Sequence, residues 1–381
     1  LGKKSIVLLR SNPVDPDSRV EKEANSLIKA GYEVKIVAWD RDFKYKIKES
    51  FLELNDGRVK IYKLGIPSTY GEGVKNLKPF LIFQFRLLLW LFKNRKKYHI
   101  IHACDFDTAY TAYHCSKLLK KKLVYDIFDY LFTNSGGNFS ILKKYIVHLQ
   151  HTIINHANAT IICTEKRKDQ IRGTKPKKLV IIHNSPPRLD ENLPKLKLNK
   201  NKVKIVYVGV LQDKRFIEEL ADIIKNNKEW ELHIGGFGKF EGYFKKQASE
   251  YDNIKYYGKL SYSKTLELEK SCDIMTAIYD PTVGNHYYAA PNKFYEALML
   301  GKPLIMVKNT GMSEIVTQFN IGEVIDYNSE SLKVAIENLI AKRNEWPEIS
   351  FKMKKLYQKD YSWDEMEKRL ISLYRELENE K

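Results

Sequence analysis

A chain of 381 residues exceeds the roughly 100 to 200 residues of one ordinary domain and points to two. Hydrophobic residues at 43% and aromatic residues at 12% exclude a disordered chain, which carries too few such side chains to build cores. The whole net charge of +18 precedes Asp190, where 35 Lys/Arg stand against 17 Asp/Glu, while 30 of each follow; such asymmetry concerns anionic partners rather than fold.

Leu1-Gly2-Lys3-Lys4 leads into a predicted strand, Ser5 to Leu9, with no signal-peptide pattern, so a cytoplasmic setting is expected. The loop from Ser11 to Arg19 leaves the carboxyl end of that strand, where doubly wound sheets place ligands. It reads also as an N-capping loop, with Asp17 or Ser18 as cap and Arg19 solvated, and it lacks the glycines of a dinucleotide fingerprint. Val20, Ala24, Leu27 and Ile28 recur at helical spacing, closed by Gly31. Further strands are predicted at Val34 to Ala38, Ile100 to Ala103, Leu123 to Ile127, Thr160 to Cys163 and Leu179 to His183. The apolar stretch Phe80 to Phe92, broken by Gln84 and Arg86, falls short of the ~20 residues that span a bilayer; it reads as a helix packed on a sheet or lying in the headgroup plane. Asp105-Phe106-Asp107 reads either as a metal-holding carboxylate pair or as helix-capping acids.

Three prolines and no periodicity mark Ser185 to Lys204 as a linker. Strands then restart at Val203 to Val208, Glu231 to Gly235, Ile254 to Tyr257, Asp273 to Ala277, Pro303 to Val307 and Ile321 to Asp326, so two α/β halves with a cleft between them are expected. Gly235-Gly236-Phe237-Gly238 suggests phosphate cradling but has Glu241 where a third glycine belongs. The segment Ala290 to Pro303 reads as a helix opened near Asn292. A Lys at 293 opposes its dipole unless an anion sits there. Cys104, Cys115, Cys163 and Cys272 are scattered and form neither a disulfide framework nor a zinc motif.

Asp17-Ser18-Arg19-Val20-Glu21-Lys22-Glu23-Ala24 with Ala30-Gly31-Tyr32-Glu33-Val34, His102-Ala103-Cys104-Asp105-Phe106-Asp107-Thr108, Tyr207-Val208-Gly209 with Lys214-Arg215, Pro291-Asn292-Lys293-Phe294-Tyr295-Glu296 through Gly301-Lys302-Pro303, and Tyr361-Ser362-Trp363 occur in this order. Together they resemble the retaining, nucleotide-sugar-dependent glycosyltransferases of the GT-B fold, known as glycosyl transferases group 1 or family 4. The resemblance implies two Rossmann-like doubly wound α/β domains with an interdomain cleft. These are an acceptor domain over 1–185, a linker over 186–202, a nucleotide-sugar domain over 203–360 and a C-terminal helix, 361–381, crossing back to the first domain.

On that resemblance Gly209, Lys214, Arg215, Asn292, Lys293 and Glu296 bind the donor, with Glu296 on the ribose and the Lys214-Arg215 pair on the diphosphate. His102 and Asp105 are the catalytic candidates, and Asn12, Arg19 and Asp107 lie on the acceptor side. Tyr288 stands where many members carry the first Glu of a Glu-x7-Glu pair, and Cys104 replaces the second His of their His-x-His. No metal and no cofactor is expected beyond the co-substrate, a UDP-linked hexose or N-acetylhexosamine. The expected partners are that donor, a lipid-linked or polysaccharide acceptor, and an anionic membrane reached through the basic first domain, with no nucleic acid. The expected location is the inner face of the plasma membrane. Two rival readings are a nucleotide-sugar epimerase of the same architecture and a basic, non-catalytic nucleic-acid-binding protein, the latter opposed by dispersed basic residues and the absence of a recognised module.

Overall fold

The computed structural model describes residues 4–42, 44, 46–69, 73–131, 141–187 and 192–380. The chain divides into two compact units, the first made of Leu1–His183 with Met366–Lys381 and the second of Asn184–Glu365.

In the first unit the strands are β1 (Ser5–Arg10), β2 (Glu33–Asp40), β3 (Ile47–Leu54), β4 (Gly57–Gly65), β5 (Ile100–Cys104), β6 (Lys122–Ile127), β7 (Ala159–Ile162) and β8 (Leu179–Ile181), in the order β3-β4-β2-β1-β5-β6-β7-β8. All pairs are parallel except β3 with β4, a hairpin turned at Asn55-Asp56. Both hairpin strands escape the sequence reading: β3 is a largely exposed edge strand whose apolar residues, Ile47, Phe51, Leu52 and Leu54, follow no strict alternation, while β4 does carry a readable apolar pattern in Val59 and Ile61 that the reading misses. The central strands are buried on both faces, as a parallel sheet covered by helices requires.

Those helices are α1 (Ser18–Lys29), α2 (Leu77–Lys93), α3 (Phe106–Leu118) and α4 (Ile141–His156). Asp17 caps α1 by accepting from the Val20 N–H, and Glu21 reaches back to the Asp17 N–H at 2.8 Å, so the loop's capping role is real. Helix α2 packs Phe83, Leu87, Trp90 and Leu91 into the core, Phe83 stacking on Trp39 with ring centroids 4.6 Å apart.

The second unit carries a six-stranded, all-parallel sheet of β9 (Val203–Val210), β10 (Trp230–Phe237), β11 (Ile254–Tyr256), β12 (Ile274–Ala277), β13 (Leu304–Val307) and β14 (Gly322–Ile325). Its order, β11-β10-β9-β12-β13-β14, is the 3-2-1-4-5-6 order of dinucleotide-binding sheets and reverses between β9 and β12. Helices α5 (Ile217–Lys225), α6 (Glu241–Glu250), α7 (Tyr262–Ser271), α8 (Gly284–Tyr287), α9 (Asn292–Leu300), α10 (Ser313–Phe319), α11 (Ser329–Ala341) and α12 (Trp346–Leu356) connect the strands and cover the sheet.

The stretch read as a linker is largely packed. Leu193 is buried in the second unit's core with Leu196 and Leu198 against it, and Ser271 Oγ accepts from the Leu196 N–H; residues 188–191 lie outside the described residues. The last helix, α13 (Trp363–Asn379), belongs from Met366 onward to the first unit. There Met366, Leu370, Leu373, Tyr374 and Leu377 are buried, and Glu367 holds Ser26 and Lys29 at 2.8 and 2.7 Å.

Candidate functional site

In the second unit, a pocket of about 340 Å³ opens at the carboxyl ends of β9 and β10, beside the strand-order reversal where open α/β sheets place ligands. The sheet crosses its floor through two glycines in register, Gly209 and Gly236. A Cβ on Gly236 (φ +140°) would lie 1.8 Å from the Gly209 carbonyl oxygen, and one on Gly209 would lie 2.7 Å from Lys293 Nζ. Backbone without side chains is thus what leaves room for the lysine and for a ligand.

Arg215 lines this pocket with its guanidinium 4.1 Å from the centroid of Tyr279, and it faces His286 Nε2 at 3.4 Å. His286 donates from Nδ1 to the Asp280 carbonyl at 2.8 Å, which fixes Nε2 as the acceptor for Arg215. Burial and the Arg215 charge depress its pKa, against the pull of that carbonyl. Lys293 stands over the Tyr207 ring at 4.6 Å. Burial disfavours its charge, yet the Tyr279 and Tyr207 hydroxyls and the Glu296 and Glu269 carboxylates together hold its pKa above that of an ordinary lysine. The basic pair at the pocket is therefore Arg215 with Lys293. Lys214, in left-handed backbone (φ +64°), sits 3.7 Å from Asp280 and is not among the lining residues.

Helix α9 brings Asn292, Lys293 and Glu296 to one wall. Its N-cap, Pro291, offers no side-chain acceptor, the arrangement that leaves first-turn donors for an anion. Glu296 is only 4% exposed and accepts a hydrogen bond from the Tyr262 hydroxyl. Behind it lies Glu269, 1% exposed, whose pKa is pushed well above the carboxylate range by burial and by Glu296, with Lys293 opposing. Two buried acids thus lie near one lysine, and burial disfavours the charge of the deeper one. Tyr288 ends α8 and is not among the lining residues.

The first unit gathers a second constellation at the corresponding reversal, between β1 and β5. Arg10, at the end of β1, ion-pairs with Asp17 at 2.8 Å and with Asp105, just after β5. Asp105 holds left-handed backbone (φ +61°) at the N-cap position of α3 without capping it. Its Oδ1 accepts instead from the Phe128 and Asp129 N–H groups, each at 2.9 Å. Burial lifts its pKa to about 6 despite Arg10 and those donors. Asp107 accepts from Ser11 Oγ at 3.0 Å, and Asn12 is spent on the loop, donating to Asp17 and accepting from the Val14 N–H.

Two predicted site residues are corrected here. His102 is completely buried, its Nδ1 2.6 Å from the Tyr374 hydroxyl and its Nε2 3.4 and 3.5 Å from Asp126 and Glu23, so it cannot touch a substrate. Arg19 is neither solvated, as the capping-loop reading has it, nor open to an acceptor, as the resemblance implies: it is buried and donates to both Asp126 oxygens, to Glu23 and to the Ile182 carbonyl. Glu23, His102 and Asp126 lie within metal-ligand spacing of one another, but the Arg19 guanidinium already pairs with both carboxylates.

Two sequence profiles match nearly all of this architecture: one described as Glycosyltransferase Family 4 over residues 18–185, and one described as Glycosyl transferases group 1 over residues 189–356. The chain belongs to the group 1 glycosyltransferases. Its fold is GT-B, two parallel-sheet Rossmann-like domains. Similar in structure are the sucrose-phosphate synthase of Thermosynechococcus elongatus (TM-score 0.77, 15% identity, 98% of this chain and 99% of that one) and Anabaena Alr3699/HepE in complex with UDP (TM-score 0.68, 13% identity, 98% and 100%). In sequence, the chain is similar to the Escherichia coli O-antigen biosynthesis glycosyltransferase WbnH, at 29% identity over 123 residues that make up 32% of this chain and only about a third (34%) of that relative. The uncharacterized glycosyltransferase MJ1607 of Methanocaldococcus jannaschii matches at 22% over 73% of this chain and 75% of its own.

Within this glycosyltransferase the sequence reading reached Gly209, Arg215, Asn292, Lys293 and Glu296, all of which line the one pocket. It missed Arg10, Tyr207, Tyr262, Glu269 and Tyr279. A signal existed for Arg10, at the carboxyl end of the first strand; Glu269, inside an ordinary-looking helix, gave none.

Proposed function

We propose that this protein transfers a sugar, with retention of anomeric configuration, from a UDP-linked hexose or N-acetylhexosamine to a lipid-linked or polysaccharide acceptor at the inner membrane face. The observation that carries the reading is the Arg215–Lys293 pair above two glycines at the strand-order reversal, with the Glu296 carboxylate in the same pocket. As the sugar–phosphate bond breaks, negative charge grows on the departing diphosphate. A guanidinium oriented by Tyr279 and His286 and a lysine held charged by its neighbours stabilise that charge more than the ground state. Glu296, beside Lys293 and Tyr262, accepts from the ribose hydroxyls. In the first unit Asp105 and Asp107 receive the acceptor, with Arg10 keeping Asp105 oriented. Complexes of the structurally similar Alr3699/HepE with UDP and with UDP-glucose support the choice of donor, and the O-antigen role of WbnH supports a glycan acceptor.

The test is a thermal-shift screen of nucleotide sugars followed by product analysis. A donor at about 100 times its Kd raises stability by roughly 2.7 kcal/mol. UDP-sugars are expected to do so, and the anomeric proton coupling of the product reports retention. Turnover is expected to survive EDTA, because fixed cations meet the diphosphate charge. Full loss with EDTA and rescue by Mn²⁺ would reopen Asp105 and Asp107 as metal ligands, and conversion of donor without any acceptor would favour an epimerase.

A further inference from the structure

We propose that the outward face of α2 is the surface by which the first unit docks on an anionic lipid bilayer. The inference deepens the membrane-facing part of the reading above and rests on it only for the biological setting. Helix α2 is anchored from one side by Phe83, Leu87 and Trp90, and the other side is not polar. Leu77, Leu81, Phe85 and Leu89, at four-residue steps, are 56, 59, 60 and 52% exposed, a ridge about 18 Å long at the ordinary helical rise. The ridge continues sideways: exposed Ile47, on the edge strand β3, lines a surface hollow of about 570 Å³ together with Leu89, the cations Arg86, Lys60, Lys93 and Lys97, and one acid, Glu49, which pairs with Lys60.

Charge selects the occupant. From residue 73 to 104 the sequence carries seven Lys/Arg (Lys75, Lys78, Arg86, Lys93, Arg95, Lys96, Lys97) and no Asp or Glu. A second copy pairing through this face would oppose two such strips, a costly arrangement unless an anion layer lies between them. An anionic bilayer supplies both halves of the match, an apolar layer for the ridge and headgroups for its flanking cations. Four large apolar side chains exposed in line and flanked mostly by cations, with Glu49 paired to Lys60 the acid in the adjoining hollow, have the composition of an interfacial helix held on a folded scaffold.

Sedimentation of the full chain with vesicles of equal parts phosphatidylglycerol and phosphatidylcholine, against phosphatidylcholine alone, reads the docking. Binding is expected to the anionic vesicles only and to weaken in molar salt. Leu81→Glu with Phe85→Glu should lower the partition coefficient by at least about tenfold, with the circular dichroism spectrum and UDP affinity unchanged. The cysteines, Cys104, Cys115, Cys163 and Cys272, are all buried, so Phe85→Cys accepts an environment-sensitive dye selectively. Its emission should shift to the blue with anionic vesicles, which tests the same point without a charge in the helix. No binding at low salt, equal binding by the double variant, an unshifted dye, or a dimer that the double variant dissociates would each overturn the proposal. Donor turnover with a soluble acceptor keeps the two readings apart: docking lost with turnover intact removes only the surface, and turnover absent with docking intact removes only the chemistry.

Discussion

Replacing Gly209 by alanine asks one question of the donor pocket, namely whether Lys293 touches the phosphates. The added Cβ would lie 2.7 Å from Lys293 Nζ and 3.4 Å from the Tyr207 hydroxyl. The backbone of Gly209 is not in a glycine-only conformation, and what it would meet is the end of a flexible side chain, so the fold is expected to survive. The ammonium, however, must retreat by about 1 Å to reach an ordinary contact distance. Moving a unit charge from about 3 to about 4 Å from a phosphate oxygen, at an effective dielectric constant of about 20, forfeits roughly 1.4 kcal/mol, or about tenfold in affinity. Isothermal calorimetry with UDP measures this directly, alongside the melting temperature. The neighbouring Gly236→Ala is the contrast: its Cβ would overlap the Gly209 carbonyl at 1.8 Å in left-handed backbone, which backbone cannot absorb, and a loss above about 4 kcal/mol is expected. If Gly209→Ala binds UDP as tightly as the wild type with an unchanged melt, Lys293 is not a phosphate ligand and the proposed electrostatics are wrong.

Glu296→Ala should weaken UDP binding by roughly 1.5 to 3 kcal/mol, the loss of a charged hydrogen bond, while Arg215→Ala should act chiefly on kcat because its partner charge grows toward the transition state; calorimetry and steady-state kinetics separate them, and wild-type values in both would move the donor site elsewhere. Asp105 is an acid whose folded pKa of about 6 lies above its ordinary value of 3.8, so its contribution to stability is complete below about pH 4 and fades as pH rises through 6. Chemical unfolding of the wild type should therefore show a downward slope in stability over that window, worth at most about 3 kcal/mol, that Asp105→Asn flattens; identical slopes would show that Asp105 is not buried as described.

What the sequence disclosed was what is written in neighbouring residues. The strand, turn and helix around Asn292-Lys293 and Glu296 could be read because one helix carries all three to one wall, and its spacing is local. Of the Lys214-Arg215 pair only Arg215 lines the pocket, and nothing in its spelling says that left-handed backbone stands at Lys214 and Phe216. Their motifs mark His102 as catalytic and Arg19 as acceptor-facing, yet their partners Glu23, Asp126 and Tyr374 come from as far as 272 residues away, and the structure spends them on a buried polar network. In the hairpin, the exposed edge strand β3 has no strict apolar period to read, whereas the alternation of Val59 and Ile61 in β4 was legible and overlooked. The aromatic frame of Tyr207 and Tyr279 failed to stand out among 24 tyrosines.

The last helix bears on how the protein comes into being. Because Met366, Leu370, Tyr374 and Leu377 complete the first unit's interior, that unit is discontinuous in sequence and cannot finish folding when His183 leaves the ribosome. At roughly 5 to 20 residues per second, about 10 to 40 s pass before Met366 is made. During that interval His102 has no hydroxyl partner, and the surface that Leu370 and Leu373 will cover stays open to solvent. The second unit, whose residues are contiguous, has its whole chain once Glu365 is made, at the end of that interval and before the first unit has its last helix. The order of synthesis is thus the reverse of the order of completion, and a chain truncated ahead of Met366 would injure the domain farthest from the cut.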